Sequence, residues 1–137
     1  MSTIFTRIID GEIPSYKIAE DEHHFAFLDA SPSSKGHTLV VPKIEIDYIF
    51  DVPDERLKGL ITFAKPIAHA IDQASGAIRT GIIVEGMEVP HAHIHLIPIY
   101  EKNQVFSLDH TVEIDEEEMK DIAGKIQRSL AEYNKLN

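Results

Sequence analysis

The sequence predicts an α+β domain, in which roughly five short strands form an antiparallel sheet that carries a long central helix and a C-terminal helix. Strand-like segments occur before and after one long helical pattern, and a second helical pattern ends the chain. A length of 137 residues with 43% hydrophobic and 26% charged residues is typical of one folded domain with its own core. We therefore expect residues 1–137 to form a single domain.

The first half of the chain predicts one short helix and three strands. The helix, in TIFTRII, has apolar side chains on one face and is followed by Gly11 and Pro14. Two strands form a hairpin around an acidic turn, and the third, HTLVV, is rich in β-branched residues and is ended by Pro42. The predicted bounds are residues 3–9 for the helix and 16–19, 24–28 and 37–41 for the strands.

The second half predicts two helices with two strands between them. Pro53 marks the start of the long helix, Gly76 its end, and Pro66 inside it predicts a kink because proline removes a backbone donor. Asp115 and Glu118 resemble a capping box at the start of the last helix. The predicted bounds are 53–74 and 115–133 for the helices and 78–85 and 91–99 for the strands.

The charge and composition exclude several classes of function. A net charge of −10 repels phosphate backbones, so nucleic acid is not an expected partner. The chain has no cysteine, which excludes disulfides and thiolate sites. The first residues do not form a signal peptide and no apolar run is long enough to span a membrane, so we expect no membrane partner and a cytoplasmic protein.

The segment HAHIHL, residues 91–96, is the strongest functional signal. In a strand, alternate residues share a face, so His91, His93 and His95 would stand side by side. The residues between them, Ala92, Ile94 and Leu96, would then face the core.

Three interpretations of this row compete. It could be a polar strand face whose imidazoles face water or bond to one another. It could be a metal site, in which two imidazoles at i and i+2 ligate Zn²⁺ with a third ligand from elsewhere, although three consecutive imidazoles on a straight strand converge poorly on one ion. It could also perform phosphoryl chemistry, in which one ring attacks phosphorus while its neighbours bind oxygens and move protons. The third interpretation is favoured because it uses all three rings without requiring them to meet at a point.

Three segments together resemble a known family. HAHIHLI fits the His-φ-His-φ-His-φ-φ motif (φ apolar) of the histidine-triad (HIT) superfamily of nucleotide hydrolases and transferases. IFTRIIDGEIPSYKIAEDE and FAFLDASPSSKGHTLVVPK resemble earlier segments of its Hint-like branch, in the same order. The chain is thus identified as similar to Hint-like proteins over most of residues 3–43 and 78–99. The resemblance implies a HIT-like fold for a single histidine-triad domain.

The resemblance also implies roles for four histidines and an acid. His93 would be the nucleophile, and its other ring nitrogen should donate to a fixed group such as a backbone carbonyl. His95 would bond a phosphate oxygen. His91 would lie behind, oriented by His37. Asp29 would bind the ribose hydroxyls, which suits a carboxylate with two acceptor oxygens.

A further set of positions is expected to line a nucleotide site. The residues that would pack around the base by resemblance are Phe5, Ile8, Phe27 and Leu28. The segment VEGMEVP, residues 84–90, is shorter than in Hint relatives, and Glu88 stands where they have a hydroxyl. Glu88 could repel a phosphate, act as a general acid if burial raises its pKa, or face solvent while the N–H of Val89 serves the phosphate.

The implied function is hydrolysis of a phosphoramidate or phosphoanhydride bond at the α-phosphate of a purine nucleoside 5′-phosphate such as AMP or GMP. The resemblance implies a homodimer in which two sheets join. No metal or other cofactor is required, because the histidines supply the nucleophile and the electrophiles; Zn²⁺ is possible but not favoured. The alternatives are a nucleotide-binding module with negligible catalysis and a metal-binding protein.

Overall fold

A computed structural model describes residues 2–137, and its sheet has five antiparallel strands in the order β1-β2-β3-β5-β4. The elements are α1 (Ile4–Ile9), β1 (Lys17–Glu20), β2 (His24–Leu28), β3 (Thr38–Pro42), α2 (Asp54–Ser75), β4 (Arg79–Ile83), β5 (Ile94–Ile99) and α3 (Glu116–Leu136), with a 3-10 turn at Ile49–Asp51. The predicted α+β class, with a long central helix and a C-terminal helix, is confirmed.

The helix ends follow local chemistry that the sequence predicts. Gly76 ends α2 in the left-handed conformation, with φ 77°, which glycine adopts at little cost. Asp115 caps α3, and its carboxylate accepts from the N–H of Glu118 at 2.8 Å. Pro66 lies inside α2, as expected from the sequence.

Two strand predictions are too long. The segment 78–85 forms β4 only over Arg79–Ile83, and the segment 91–99 forms β5 only from Ile94 onwards. The register that pairs Val40 with Ile94 would place Pro42 opposite Ala92. Proline has no N–H for the ladder, so the regular pairing ends before the first two histidines of the row.

The alternation along the strands separates two cores on opposite faces of the sheet. Ala26, Leu28, Val40, Ile94 and Leu96 belong to the larger core under α2 and α3. The other face carries a smaller core, which joins side chains of α1 to those of β2 and β3: Phe5, Ile8, Phe25, Phe27, Leu39 and Val41. The expectation that Ile94 and Leu96 face the main core is therefore confirmed, and the smaller core forms the floor of the site described below.

A long irregular segment, residues 100–114, folds back over the α1 side of the molecule. The carbonyl of Ser107 accepts from the hydroxyl of Ser33 at 3.0 Å, and the N–H of Val112 donates to the carbonyl of Pro32 at 2.8 Å. Phe106 packs on Gly81, where an added Cβ would lie 2.5 Å from the ring. Within residues 2–137, no helix is both long and apolar enough to cross a membrane.

Candidate active site

A cavity of about 550 Å³ opens on the α1 side of the sheet. Its walls come from α1, the end of β2, residues 85–89 and the segment 100–114. His37, His93 and His95 line it together with Asp29, so the fold brings these four predicted residues to one place.

The alternation of side chains between the two faces of a strand explains why His37 and His95 meet. His95 pairs with Leu39 across β3 and β5, so both side chains lie on the α1 side. His37 is two residues before Leu39 and shares its face. The four predicted histidines are all buried, with at most 7% of the residue exposed. The interpretation in which the imidazoles face water is therefore wrong, whereas a bond between two imidazoles is present, because Nε2 of His37 lies 2.9 Å from Nδ1 of His95.

The protonation pattern of His93 follows from its neighbours. Its Nδ1 lies 2.7 Å from the carbonyl oxygen of His91, and because a carbonyl only accepts, Nδ1 must carry the proton. Burial lowers the pKa of His93, which keeps the ring neutral. Nε2 is then the unprotonated nitrogen, and the carbonyl partner expected from the sequence is present.

A second chain of hydrogen bonds sets the protons of His37 and His95. The N–H of Ser33 donates to Nδ1 of His37 at 2.9 Å, so the proton of the neutral ring sits on Nε2. That Nε2–H lies 2.9 Å from Nδ1 of His95 and donates to it, which leaves the proton of His95 on its own Nε2. Burial lowers the pKa of His37 to about 4 and that of His95 to about 3, so both rings are neutral near pH 7.

His91 is held differently from the sequence-based expectation. Its Nε2 donates to the carbonyl of Pro42 at 2.8 Å, and its Nδ1 lies 2.7 Å from the hydroxyl of Thr3. His37 is bonded to His95 instead, so the prediction that His37 orients His91 is wrong. The physical reason is that His91 lies before the start of β5, whereas His37 shares a sheet face with His95.

Asp29 follows β2 and faces His37 and His95. Its N–H donates to the carbonyl of His37 at 2.9 Å, and its Oδ1 accepts from the N–H of Ser31 at 2.8 Å. Its Oδ2 lies 3.6 Å from Nε2 of His37 and 4.0 Å from Nδ1 of His95. Burial raises the pKa of this carboxyl, against the opposing effect of the Ser31 bond.

The same three side chains could hold a metal by distance, because their ligand atoms lie within 4.8 Å of one another. A metal on Nε2 of His37 would move the ring proton to Nδ1. The N–H of Ser33 already points at Nδ1, so two donors would then face each other. The hydrogen-bonding pattern of Asp29, His37 and His95 therefore does not suit a metal ion.

A motif of buried histidines around a nucleotide-sized cavity is the pattern that the sequence resemblance implies. The family model of the HIT domain matches residues 10–102. The chain belongs to the HIT family. Its sequence is 38% identical over 136 residues to Protein hit of Bacillus subtilis, an alignment that covers 93% of this chain and 94% of the relative.

Two further comparisons bear on this HIT protein. It is 38% identical over 96 residues to adenosine 5′-monophosphoramidase HNT1 of Saccharomyces cerevisiae, which covers 69% of this chain and 61% of the yeast protein. Its fold is similar to that of a Zn-bound histidine triad family protein from Mycobacterium smegmatis, with a TM-score of 0.87 and 26% identity. That match covers 100% of this chain and 99% of the mycobacterial one.

The structure places three of the four predicted base-contacting residues in the cavity and the fourth in the main core. Phe5, Ile8 and Phe27 line the cavity of this HIT protein. Leu28 does not, because it is adjacent to Phe27 in a strand and so faces the main core under the helices. The assignment of Leu28 to base contact is therefore corrected.

The entrance to the cavity carries acidic side chains. Glu88 is exposed there, and Glu85 and Asp109 line the same cavity. The charge of Glu88 raises the pKa of His93, although this effect is smaller than the opposing effect of burial. Val89 is partly buried against the smaller core, and its carbonyl accepts from the N–H of His91 at 2.8 Å.

Sequence reasoning missed two residues that fix the histidines. Ser33 sets the tautomer of His37 through its backbone, and Thr3 contacts His91 across 88 positions of the chain. The only sequence signal for Thr3 is its place before an apolar helical pattern, which is typical of an N-cap. A backbone donor such as that of Ser33 has no signal in residue identity.

Proposed function

We propose that this HIT protein is a hydrolase that cleaves a phosphoramidate or phosphoanhydride bond at the α-phosphate of a purine nucleoside 5′-phosphate. The proposal depends on one observation, the hydrogen-bond partners of two adjacent rings, which imply opposite placement of their protons. His93 has an unprotonated Nε2, whereas His95 has its proton on Nε2. The ring centroids are 4.8 Å apart, so a nucleophile and a donor lie next to each other in one cavity.

In the first step, the Nε2 lone pair of His93 attacks the α-phosphorus and the bond to the leaving group breaks. The product is a nucleotidyl-imidazole on His93, and the leaving group takes the bonding electron pair. The imidazole gains positive charge in this step, which the carbonyl of His91 stabilises through the Nδ1–H bond. The Nε2–H of His95 donates to a phosphate oxygen, where negative charge increases.

In the second step, water attacks the same phosphorus. The P–N bond to His93 breaks, its electron pair returns to Nε2, a proton of the attacking water passes to solvent, and a nucleoside monophosphate leaves. The cavity wall of Phe5, Ile8 and Phe27 is apolar and suits a purine base such as that of AMP or GMP. Asp29 suits the ribose, because Oδ2 remains available beside an Oδ1 that is bonded to backbone.

Substitution of His93 tests this mechanism. We expect His93→Gly to lower hydrolysis of an adenosine phosphoramidate by roughly 10³-fold or more, while AMP still binds. His110→Gln, at an exposed loop position, is the matched control and should retain turnover. Mass spectrometry after an alkaline quench should find a nucleotidyl adduct on His93 in the wild-type protein. Undiminished turnover by His93→Gly would exclude His93 as the nucleophile.

A second candidate function is nucleotide binding with negligible catalysis, which the exposed acid at the entrance favours. Glu88 places negative charge near the entry path of an anionic substrate. We expect Glu88→Ser to raise kcat/KM about threefold by removing this repulsion, and Glu22→Ser, which removes an exposed charge in the β1–β2 turn, to have no effect. A decrease with Glu88→Ser would instead show that this residue assists the reaction. AMP binding without measurable turnover by the wild-type protein would support the binding module.

We also propose a homodimer formed at the edge of the sheet. β4 is an edge strand, and an apolar groove of about 420 Å³ runs between Ile82 on β4, Ile61 on α2 and Phe50 in the 3-10 turn. Each of these side chains is about half exposed or more. Light scattering should give a dimer for the wild-type protein and a monomer for Ile82→Lys. A monomeric wild-type protein at micromolar concentration would refute the proposal.

A further inference from the structure

The first two histidines of the row, His91 and His93, do not belong to the β-sheet. Because β5 begins at Ile94, His91 and His93 lie outside the hydrogen-bonded ladder. The backbone between them is fixed by residues that follow β3: the N–H of Ala92 donates to the carbonyl of Ile46 at 2.7 Å. The position of the proposed nucleophile therefore depends on contacts other than strand pairing.

The contacts of His91 determine which partner donates. Its Nε2 must carry the proton, since the carbonyl of Pro42 can only accept. In the neutral ring Nδ1 is then an acceptor, so the hydroxyl of Thr3 donates to it at 2.7 Å. The same hydroxyl oxygen accepts from the N–H of Thr6 at 3.2 Å and thereby caps α1.

Glu45 extends this arrangement to the exposed side of the molecule. Its Oε1 accepts from the N–H of Thr3 at 2.8 Å. The neighbouring hydroxyl of Thr6 and the N–H of Thr3 lower the pKa of Glu45. The segment 42–46 consequently contacts the start of α1 and the backbone next to the nucleophile at once.

The helix fixed in this way also forms the base wall. Phe5 is the second residue of α1, and its ring centroid lies 4.9 Å from that of His93 and 5.7 Å from that of His91, edge to face in both cases. A displacement of the start of α1 would therefore move a wall of the cavity and the support of His93 together.

We propose that Thr3 is a positioning residue for the reaction at His93, and that Thr3, Glu45 and His91 form a polar clamp between α1 and the nucleophile. Thr3 does not line the cavity. It acts through His91, whose carbonyl oxygen holds the Nδ1–H of His93. This inference rests on the proposed hydrolase function for its kinetic consequences, whereas the clamp itself is a property of the protein without ligand.

Removing the hydroxyl of Thr3, which both donates to His91 and caps α1, should lower catalysis more than binding. We expect Thr3→Val to lower kcat on an adenosine phosphoramidate about five- to tenfold, as loss of one partly buried hydrogen bond and of alignment implies, with a smaller change in KM. Thr3→Ser keeps the donor and the cap and should restore kcat. Thr62→Val, which removes an exposed hydroxyl from α2, is the control. Wild-type kcat in Thr3→Val would overturn the proposal.

A readout without substrate separates the clamp from the proposed function. Nitrogen-15 NMR of the ring nitrogens should show Nδ1 of His91 as a hydrogen-bonded acceptor in the wild-type protein and in Thr3→Ser. In Thr3→Val this signal should move towards that of a free imidazole nitrogen, and His93 should no longer be confined to its Nδ1–H tautomer. Unchanged His91 and His93 signals in Thr3→Val would overturn the clamp whatever the activity. Shifted signals in a protein without turnover would support the clamp and count against the hydrolase.

Should Thr3→Val fail to fold, Glu45 tests the clamp from its exposed end. Glu45→Ala removes the acceptor of the Thr3 N–H, whereas Glu45→Gln retains an amide oxygen at the same place. We expect Glu45→Ala to perturb the His91 signals and lower kcat about twofold, and Glu45→Gln to restore both. Identical behaviour of the two variants would overturn the role given to Glu45.

Discussion

Replacing His37 with glutamine should make the stability of the protein less sensitive to acid. In the folded protein, burial lowers the pKa of His37 from 6.5 to about 4. The unfolded chain therefore binds a proton more readily than the native one, and stability is fully present above pH 6.5. It decreases as pH falls from 6.5 towards the folded pKa.

The magnitude follows from the two pKa values. Between pH 7.5 and pH 5, the difference in proton binding at His37 costs about 2 kcal/mol of unfolding free energy. Burial also lowers the pKa of His95, to about 3. The resulting loss of unfolding free energy is similar in the wild-type protein and in His37→Gln, so it cancels to first order when the two are compared. The raised pKa of Asp29 acts in the opposite direction and is also common to both proteins.

Urea unfolding followed by circular dichroism at the two pH values measures this difference. We expect the wild-type protein to lose about 2 kcal/mol more than His37→Gln on going from pH 7.5 to pH 5. His110→Gln, at an exposed position, should follow the wild-type protein. Equal losses for wild type and His37→Gln would refute the neutral, buried state of His37 and with it the donor chain to His95.

Three further predictions test the architecture. Leu28→Ala should lower stability by about 3 kcal/mol without raising KM, because Leu28 lies in the main core. Ile8→Ala should raise KM, because Ile8 lines the cavity. The reverse result would contradict the assignment of these two side chains to opposite faces of the sheet. Gly81→Ala should cost about 1 kcal/mol by displacing Phe106, and Phe106→Ala should remove that cost in a double-mutant cycle. Exhaustive chelation should leave turnover intact; activity lost and restored by Zn²⁺ would favour a metal site after all.

The sequence predicts the fold well where the signal is periodic. Alternation in β2 and β3 separates the two cores, and the helix ends follow from Gly76 and Asp115. The same alternation places Phe27 and Leu28 on opposite faces, so the error at Leu28 arises from carrying over the family pattern without applying strand parity.

Features that depend on distant partners are not visible in the sequence. The alternation in HAHIHL continues past the point at which the sheet ends, because the limit is set by Pro42 on a neighbouring strand rather than by the histidine segment itself. The partner of His37 is decided by which side chains share a face after folding. The segment 100–114 has no periodic pattern, yet it supplies Leu108, Asp109 and Thr111 to the cavity.

The order of donors from Ser33 through His37 to His95 runs in one direction only. A backbone amide does not release its proton under these conditions, so a proton that left His95 could not be replaced from the interior. Under the proposed mechanism, His95 would therefore polarise a phosphate oxygen and would not supply protons repeatedly. Under the proposed function, a leaving group that departs as a stable anion would need no proton from His95, whereas an alkoxide or an amide would have to take its proton from solvent.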